Sequence, residues 1–220
     1  NGAEQIWTIV AAGVTNSTYN EAQLATRFGY ESTAVNGTVT VNYRDADLGG
    51  ASDTALLAAD NPGRGVTFNV AAADAANIEA IDLIAASPTG AALGYTVANS
   101  FTAARTLTVT GGGNQEVYVH TIAVMTTVDA STTTGTINIW ANGSTQAMTV
   151  TGGSGNNLII TGAGNDILDG GLGADTYYGQ GGADTYMIRT TTIELGSSDV
   201  VAAAQFVTGS DKLDFGGPAG

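Results

Sequence analysis

The chain has 220 residues, enough for one elongated domain or two compact ones, and carries 20 acidic against 6 basic residues for a formal charge of −14. Such an excess repels nucleic-acid phosphates and anionic membranes, so neither is an expected partner, and metal cations are the natural counterions. There is no cysteine and no run of apolar residues long enough for a membrane helix, which excludes disulfide and thiol chemistry and membrane insertion through a helix.

In chain order, period-two alternation dominates. Val39, Val41 and Tyr43 alternate with polar residues, as do Val66, Phe68 and Val70, then Leu107 and Val109. Val117 and Val119, Ile137 and Ile139, and Met148 and Val150 continue the series. Clusters of Gly, Asn, Ser and Thr separate these runs and supply turn chemistry. One or two short helices are expected. Leu24 and Phe28, four apart, suggest a helix over Glu21–Phe28, and Ser52 is a plausible N-cap for a helix to Ala59, ended by Asn61-Pro62. The alanine-rich stretch Val70–Ala76 is a weaker candidate. From about Leu107 the apolar pairs recur on a ten-residue beat, which predicts stacked solenoid rungs. The Asn36-Gly37 and Asn142-Gly143 dipeptides are hairpin signals, so a β-sandwich stays open for the N-terminal half. The expected division is a mainly β region over 1–105, solenoid rungs over 106–151 and a repeat segment with its cap over 152–220. The chain starts at Asn1 without Met or signal peptide and ends on a linker-like Gly216–Gly220, so it is expected to be a processed product or a piece of a longer chain.

Between Gly152 and Met187 the beat becomes strict at nine residues: GGSGNNLII, TGAGNDILD, GGLGADTYY, GQGGADTYM. Position four is always glycine, namely Gly155, Gly164, Gly173 and Gly182. Position six is Asn157, Asp166, Asp175 and Asp184, and position eight is Ile159, Leu168, Tyr177 and Tyr186. Glycines, including Gly153, Gly162 and Gly171, let a loop curl until its carbonyls converge. The position-six carboxylate adds charge to that loop. Calcium takes six to eight oxygens at about 2.3–2.6 Å from carboxylates and carbonyls. The position-eight side chain shares the face of position six and plugs the interior. Two nonapeptides make one coil, so ions are expected between Asp166 and Asp184 on one edge and between Asn157 and Asp175 on the other. This gives about two sites, the second weaker because Asn157 is neutral. Four aspartates and no basic residue lie in this stretch, so without metal it repels itself.

These residues resemble the RTX family, in which the repeat forms a calcium-filled, right-handed parallel β-roll and the proteins leave Gram-negative bacteria by type I export. Gly182–Ile188, then Asp199-Val200-Val201 and Phe206–Phe215, are similar to the units that close such repeats. By that resemblance Asp199, Asp211 and Asp214 are candidate ligands of an additional site, although Gln205 stands where the family usually has Asp and extra alanines intervene. The resemblance covers Gly152 to Phe215. The remainder is similar in composition, and in Asn77–Leu83 and Val128–Ser131, to RTX-bearing surface-layer proteins and adhesins.

Catalytic groups are scarce. His120 is the sole histidine and falls in an alternating run, and neither H-E-x-x-H nor G-x-S-x-G occurs. Glu79 with Asp82, and Asp45 with Asp47, read as solvated strand ends, and Asp45, Asp47 and Asp53 also suggest a further calcium loop. Trp7 and Trp140 read as core or sheet-face residues rather than sugar platforms. The expectation is a non-enzymatic, calcium-binding structural protein of a bacterial surface layer, extracellular and self-assembling. The alternatives are an adhesin module binding a surface polysaccharide, and the export tail of a secreted hydrolase.

Overall fold

The computed structural model describes residues 16–22, 28–30, 37–43, 53–60, 65–70, 72, 74–86, 93–97, 101–119, 122–189, 198–202 and 206–215. Its regular structure is entirely strand. The first seven strands are β1 (Asn16–Ala22), β2 (Phe28–Tyr30), β3 (Gly37–Tyr43), β4 (Thr54–Asp60), β5 (Val66–Val70), β6 (Ala80–Ala86) and β7 (Leu93–Val97). Next come β8 (Thr106–Gly112), β9 (Gln115–Tyr118), β10 (Thr127–Asp129), β11 (Ile137–Trp140) and β12 (Thr149–Thr151). The repeat segment contributes β13 (Leu158–Ile160), β14 (Ile167–Asp169), β15 (Thr176–Tyr178) and β16 (Thr185–Met187), and the end of the chain β17 (Val200–Val201) and β18 (Lys212–Asp214).

Odd-numbered strands form one nine-stranded sheet and even-numbered strands the other, each in strict chain order. Each named pairing is parallel. A chain that alternates between two sheets and always pairs with the strand two places on is a two-sided solenoid, so the sandwich alternative is set aside for the described strands. Asn142-Gly143 accordingly makes no hairpin, because it lies in the turn that carries β11 of one sheet to β12 of the other.

The expected helices are corrected. Ser52–Ala59 is largely strand β4, paired over seven residues with β6, and Asp53, Ala55 and Leu57 are buried while Thr54 and Leu56 are half-buried. Apolar residues four apart satisfy a two-residue period as well as a helical one, and the stacked neighbour decides between them. In the Glu21–Phe28 candidate, Glu21 and Ala22 end β1 and Phe28 opens β2, while residues 23–27 lie outside the described residues. In the third candidate Val70 ends β5 and residues 74–77 form a turn.

Interior side chains run in columns along the solenoid. In one sheet Tyr95, Val117, Ile139, Ile159 and Tyr177 stand in register, and in the other Ile81, Leu107, Val128, Val150, Leu168 and Tyr186. All eleven are buried in one continuous core. The position-eight plugs of the nonapeptides thus prolong the upstream core without a break. At the last coil Val200, Val207, Leu213 and Phe215 are exposed.

Candidate metal centre

The repeat glycines sit in the turns that join the sheets. Gly153 and Gly155 lie between β12 and β13, Gly162 and Gly164 between β13 and β14, Gly171 and Gly173 between β14 and β15, and Gly182 between β15 and β16. Turns two repeats apart stack, with Leu172 N–H donating to the Gly153 carbonyl at 3.0 Å and Gly181 N–H to Gly162 at 3.2 Å. Gly173 and Gly182 have φ of 114° and 124°, left-handed values that suit glycine, and a Cβ on either would strike the carbonyl of Gly155 or Gly164 in the turn before.

Position six builds a ladder along each edge. On one edge the Ile137 N–H donates to Asn157 Oδ1 at 2.9 Å, the Asn157 N–H to Asp175 Oδ1 at 2.7 Å, and the Asp175 N–H to Asp199 Oδ1 at 3.0 Å. On the other edge Met148 N–H donates to Asp166 Oδ1 at 2.8 Å, Asp166 N–H to Asp184 Oδ1 at 2.9 Å, and Asp184 N–H to Asp211 Oδ1 at 3.0 Å. Asn157, Asp166, Asp175 and Asp184 are all buried. The structure therefore brings Asp166 together with Asp184, and Asn157 with Asp175, on separate edges.

One oxygen of each carboxylate is used in this way, but Asp166 Oδ2 and Asp184 Oδ2 are buried without a well-aligned hydrogen-bond partner, with the Thr161 and Tyr186 hydroxyls near the two carboxylates. A buried carboxylate oxygen left unpaired is costly, and a cation repairs it. Burial is the main cause that raises the Asp166 carboxyl above its ordinary 3.8, with the Thr161 hydroxyl and Met148 N–H opposing. Asp184 is pushed up to about 6, again chiefly by burial, with the charges of Asp166 and Asp211 adding to it. Asp199 is raised by burial as well. The Tyr177 and Tyr186 hydroxyls are raised by burial and by the nearby aspartates. Gly179 keeps space beside the Asp184 carboxylate, since a Cβ there would run into Asp184 Oδ2. Unpaired buried oxygens, like charges stacked along an edge and a glycine-walled space fit a divalent cation. No three acidic or histidine side chains converge on one point among the described residues. Any ion here is therefore held by one or two carboxylates together with backbone carbonyls, a mixed oxygen set that suits calcium.

The three further candidates separate. Asp199 and Asp211 are the last described rungs of the two ladders, an arrangement hidden in the sequence because they follow the preceding rung at a spacing of 24 and 27, not 18. Asp214 stands apart on β18, paired with Lys212 Nζ at 3.2 Å. The Asp45–Asp47–Asp53 loop cannot be assembled, since Asp45 and Asp47 lie outside the described residues, as does His120. Asp53 instead makes a similar cross-coil bond upstream, its N–H donating to Glu79 Oε2 at 2.8 Å. Asp82 lies on β6, half-buried.

Sequence reasoning missed the asparagines at position five. Asn156 Oδ1 accepts from Ala174 N–H at 2.9 Å and Asn165 Oδ1 from Ala183 N–H at 2.8 Å. It also missed the Tyr177 hydroxyl, which accepts from Gly170 N–H at 3.0 Å and donates to the Met187 carbonyl at 3.2 Å. The recurrence of Asn-[Asn/Asp] in the first two repeats was the available signal for the asparagines.

Residues 151–186 match the family model of the RTX calcium-binding nonapeptide repeat in four copies. Neither the comparison with curated proteins nor that with solved structures gives a match. RTX nonapeptide repeats bind Ca2+ and are typical of secreted extracellular bacterial proteins.

Proposed function

Since residues 151–186 carry four RTX calcium-binding repeats, we propose that this chain is a non-catalytic structural protein of a bacterial cell surface, exported by the type I route and locked by calcium into a rod that associates with copies of itself in a surface layer. The observation that supports this most is continuity: one pair of parallel sheets runs from β1 and β2 to the last described strands, and the acid ladders occupy its final coils. A rod with a single hydrophobic core is a building element. In this reading Asp166 and Asp184 hold calcium on one edge, and Asp175 with the Asn157 amide on the other, joined by carbonyls of the glycine turns. Asp199 and Asp211 extend the two edges.

Calcium, when bound, supplies positive charge to the buried carboxylates and neutralises their mutual repulsion. The chain's own residues do the rest. Position eight fills the interior, the ladder oxygens fix the spacing of successive coils, and the glycine turns keep room for the ion. Binding free energy then becomes folding free energy. In a calcium-poor cytoplasm the segment stays open, and millimolar calcium outside closes it. Electron microscopy tests the assembly: sheets or filaments are expected at millimolar calcium and lost with chelator. A sample that stays monomeric across that range overturns the surface-layer reading.

A further inference from the structure

Tyr118 and Trp140 stand at the same register position on consecutive coils, on the outer face of the odd-numbered sheet. Their rings stack, with centroids 5.8 Å apart and planes 17° from parallel. The row continues into Ile160 and Tyr178 on one side and Thr96 on the other. The neighbouring row on that face carries Glu116 and Asn138. Glu116 Oε2 accepts a hydrogen bond from the Tyr118 hydroxyl at 2.5 Å. Gly94, in register with Glu116, lies beside the Tyr118 ring, where an added Cβ would meet Cε2 at an ordinary contact of 3.5 Å.

Packing alone does not account for this pair. The Trp140 indole N–H is shielded from water and has no acceptor. A buried donor left unpaired is costly, because its lost hydration is not replaced. A phenylalanine or leucine would cover the same surface without that loss. An indole that tilts outward toward a ligand hydroxyl recovers the bond. Stacked aromatic rings with an apolar body, an indole donor, a carboxylate acceptor and an amide side by side match the chemistry of a sugar, whose C–H faces are apolar and whose rim is hydroxyl. The chain's charge of −14 disfavours an anionic polymer.

We propose that the Tyr118–Trp140 pair, flanked by Glu116 and Asn138, is a binding platform for a neutral polysaccharide. The site lies on the coils just before the calcium repeats and does not depend on self-assembly, so failure of lattice formation in microscopy leaves it standing.

The test is affinity electrophoresis of the full chain at millimolar calcium, in native gels cast with dextran, laminarin or mannan. At least one polysaccharide is expected to retard the parent, with Trp140→Ala weakening binding by roughly tenfold or more. Glu116→Gln is expected to weaken it less. Trp140→Phe, which keeps the outer face covered and removes the N–H, is expected to fall between, which guards against loss of fold in the alanine variant. In Trp7→Phe the only tryptophan left is Trp140, and its fluorescence is expected to shift when the retarding polysaccharide is added. Unchanged mobility of the parent in all three gels overturns the proposal, as does retardation that Trp140→Ala and Trp140→Phe leave intact or an unmoved Trp140 emission.

Discussion

The coils before the repeats and the repeats themselves share one architecture but are held together differently. In β5 and β6 three side chains per strand point inward and are buried: Val66, Phe68 and Val70, then Ile81, Leu83 and Ala85. The upstream turns add Phe101, Ala104, Ile122 and Met125. Each repeat strand buries a single plug, and its turns contain glycine with Asn157, Asp166, Asp175 or Asp184 in place of apolar residues. A fully buried aliphatic or aromatic side chain is worth about 1.5–3 kcal/mol, so a coil with two plugs has little with which to offset the entropy of ordering its backbone. The upstream coils close on hydrocarbon, whereas the repeat coils bury acids and glycine turns, and in the proposed function an ion supplies what hydrocarbon does not. The same fold thus admits two sources of cohesion, and the turn residues choose between them.

The largest expected effect is chelation. Removing calcium should abolish the β signal of residues 152–215 in circular dichroism, while amides in β5 to β11 stay protected in hydrogen exchange. Loss of protection in both regions together would break the comparison. Next, Leu83→Ala should cost about 2–5 kcal/mol in chemical unfolding whether or not calcium is present, because the cavity opens in the hydrocarbon part. Asp184→Ala and Asp166→Ala should each weaken calcium binding by roughly 10- to 100-fold, from the loss of about 1.5–3 kcal/mol of charged interaction, as read by calorimetry. Asp175→Ala should do the same for the opposite edge.

A fourth effect is pH dependence. Asp184 has its carboxyl raised from 3.8 to about 6 in the folded, metal-free chain. A raised value means the folded form holds the proton more tightly than the unfolded one, so this contribution to stability is fully present below 3.8 and is lost as pH rises through about 6. In chelator, the repeat segment should therefore show more β structure at acid pH than at neutral pH, opposite to ordinary acid denaturation. Calcium affinity should fall as pH drops through about 6. The smallest effect belongs to Asp214→Asn, which removes only an exposed pair with Lys212 and should leave calcium affinity almost unchanged.

How much of this was legible in the sequence follows from the coil length. In the repeats, laddered residues are 18 apart, twice the nine-residue period, so Asp166 with Asp184 and the plugs Leu168 and Tyr186 could be placed directly. Upstream the spacing is irregular, 26 from Asp53 to Glu79 and 20 from Ile137 to Asn157, and no period reveals which residues meet. Alternation still disclosed strands β5, β8, β9 and β11, because one face of each is buried. It failed at β4, where Ala55, Leu57 and Ala59 fit helix and strand patterns alike. The place of Asp199 and Asp211 on the two ladders was hidden for the same reason as the upstream register: their longer coils break the count.

The bonds from Ile137 and Met148 to Asn157 and Asp166 mark where hydrocarbon gives way to acid. In a stack where each coil touches only its neighbours, stability is a sum of nearest-neighbour couplings, and order spreads from whichever end is already fixed. In the proposed reading, that junction is a wall between a segment ordered at every calcium concentration and one ordered only above a threshold. A coil that forms against it needs only one new interface, not a nucleus of its own. On that reading the upstream rungs act as a seed crystal, and anything that loosens them is expected to raise the calcium concentration at which the last coils set.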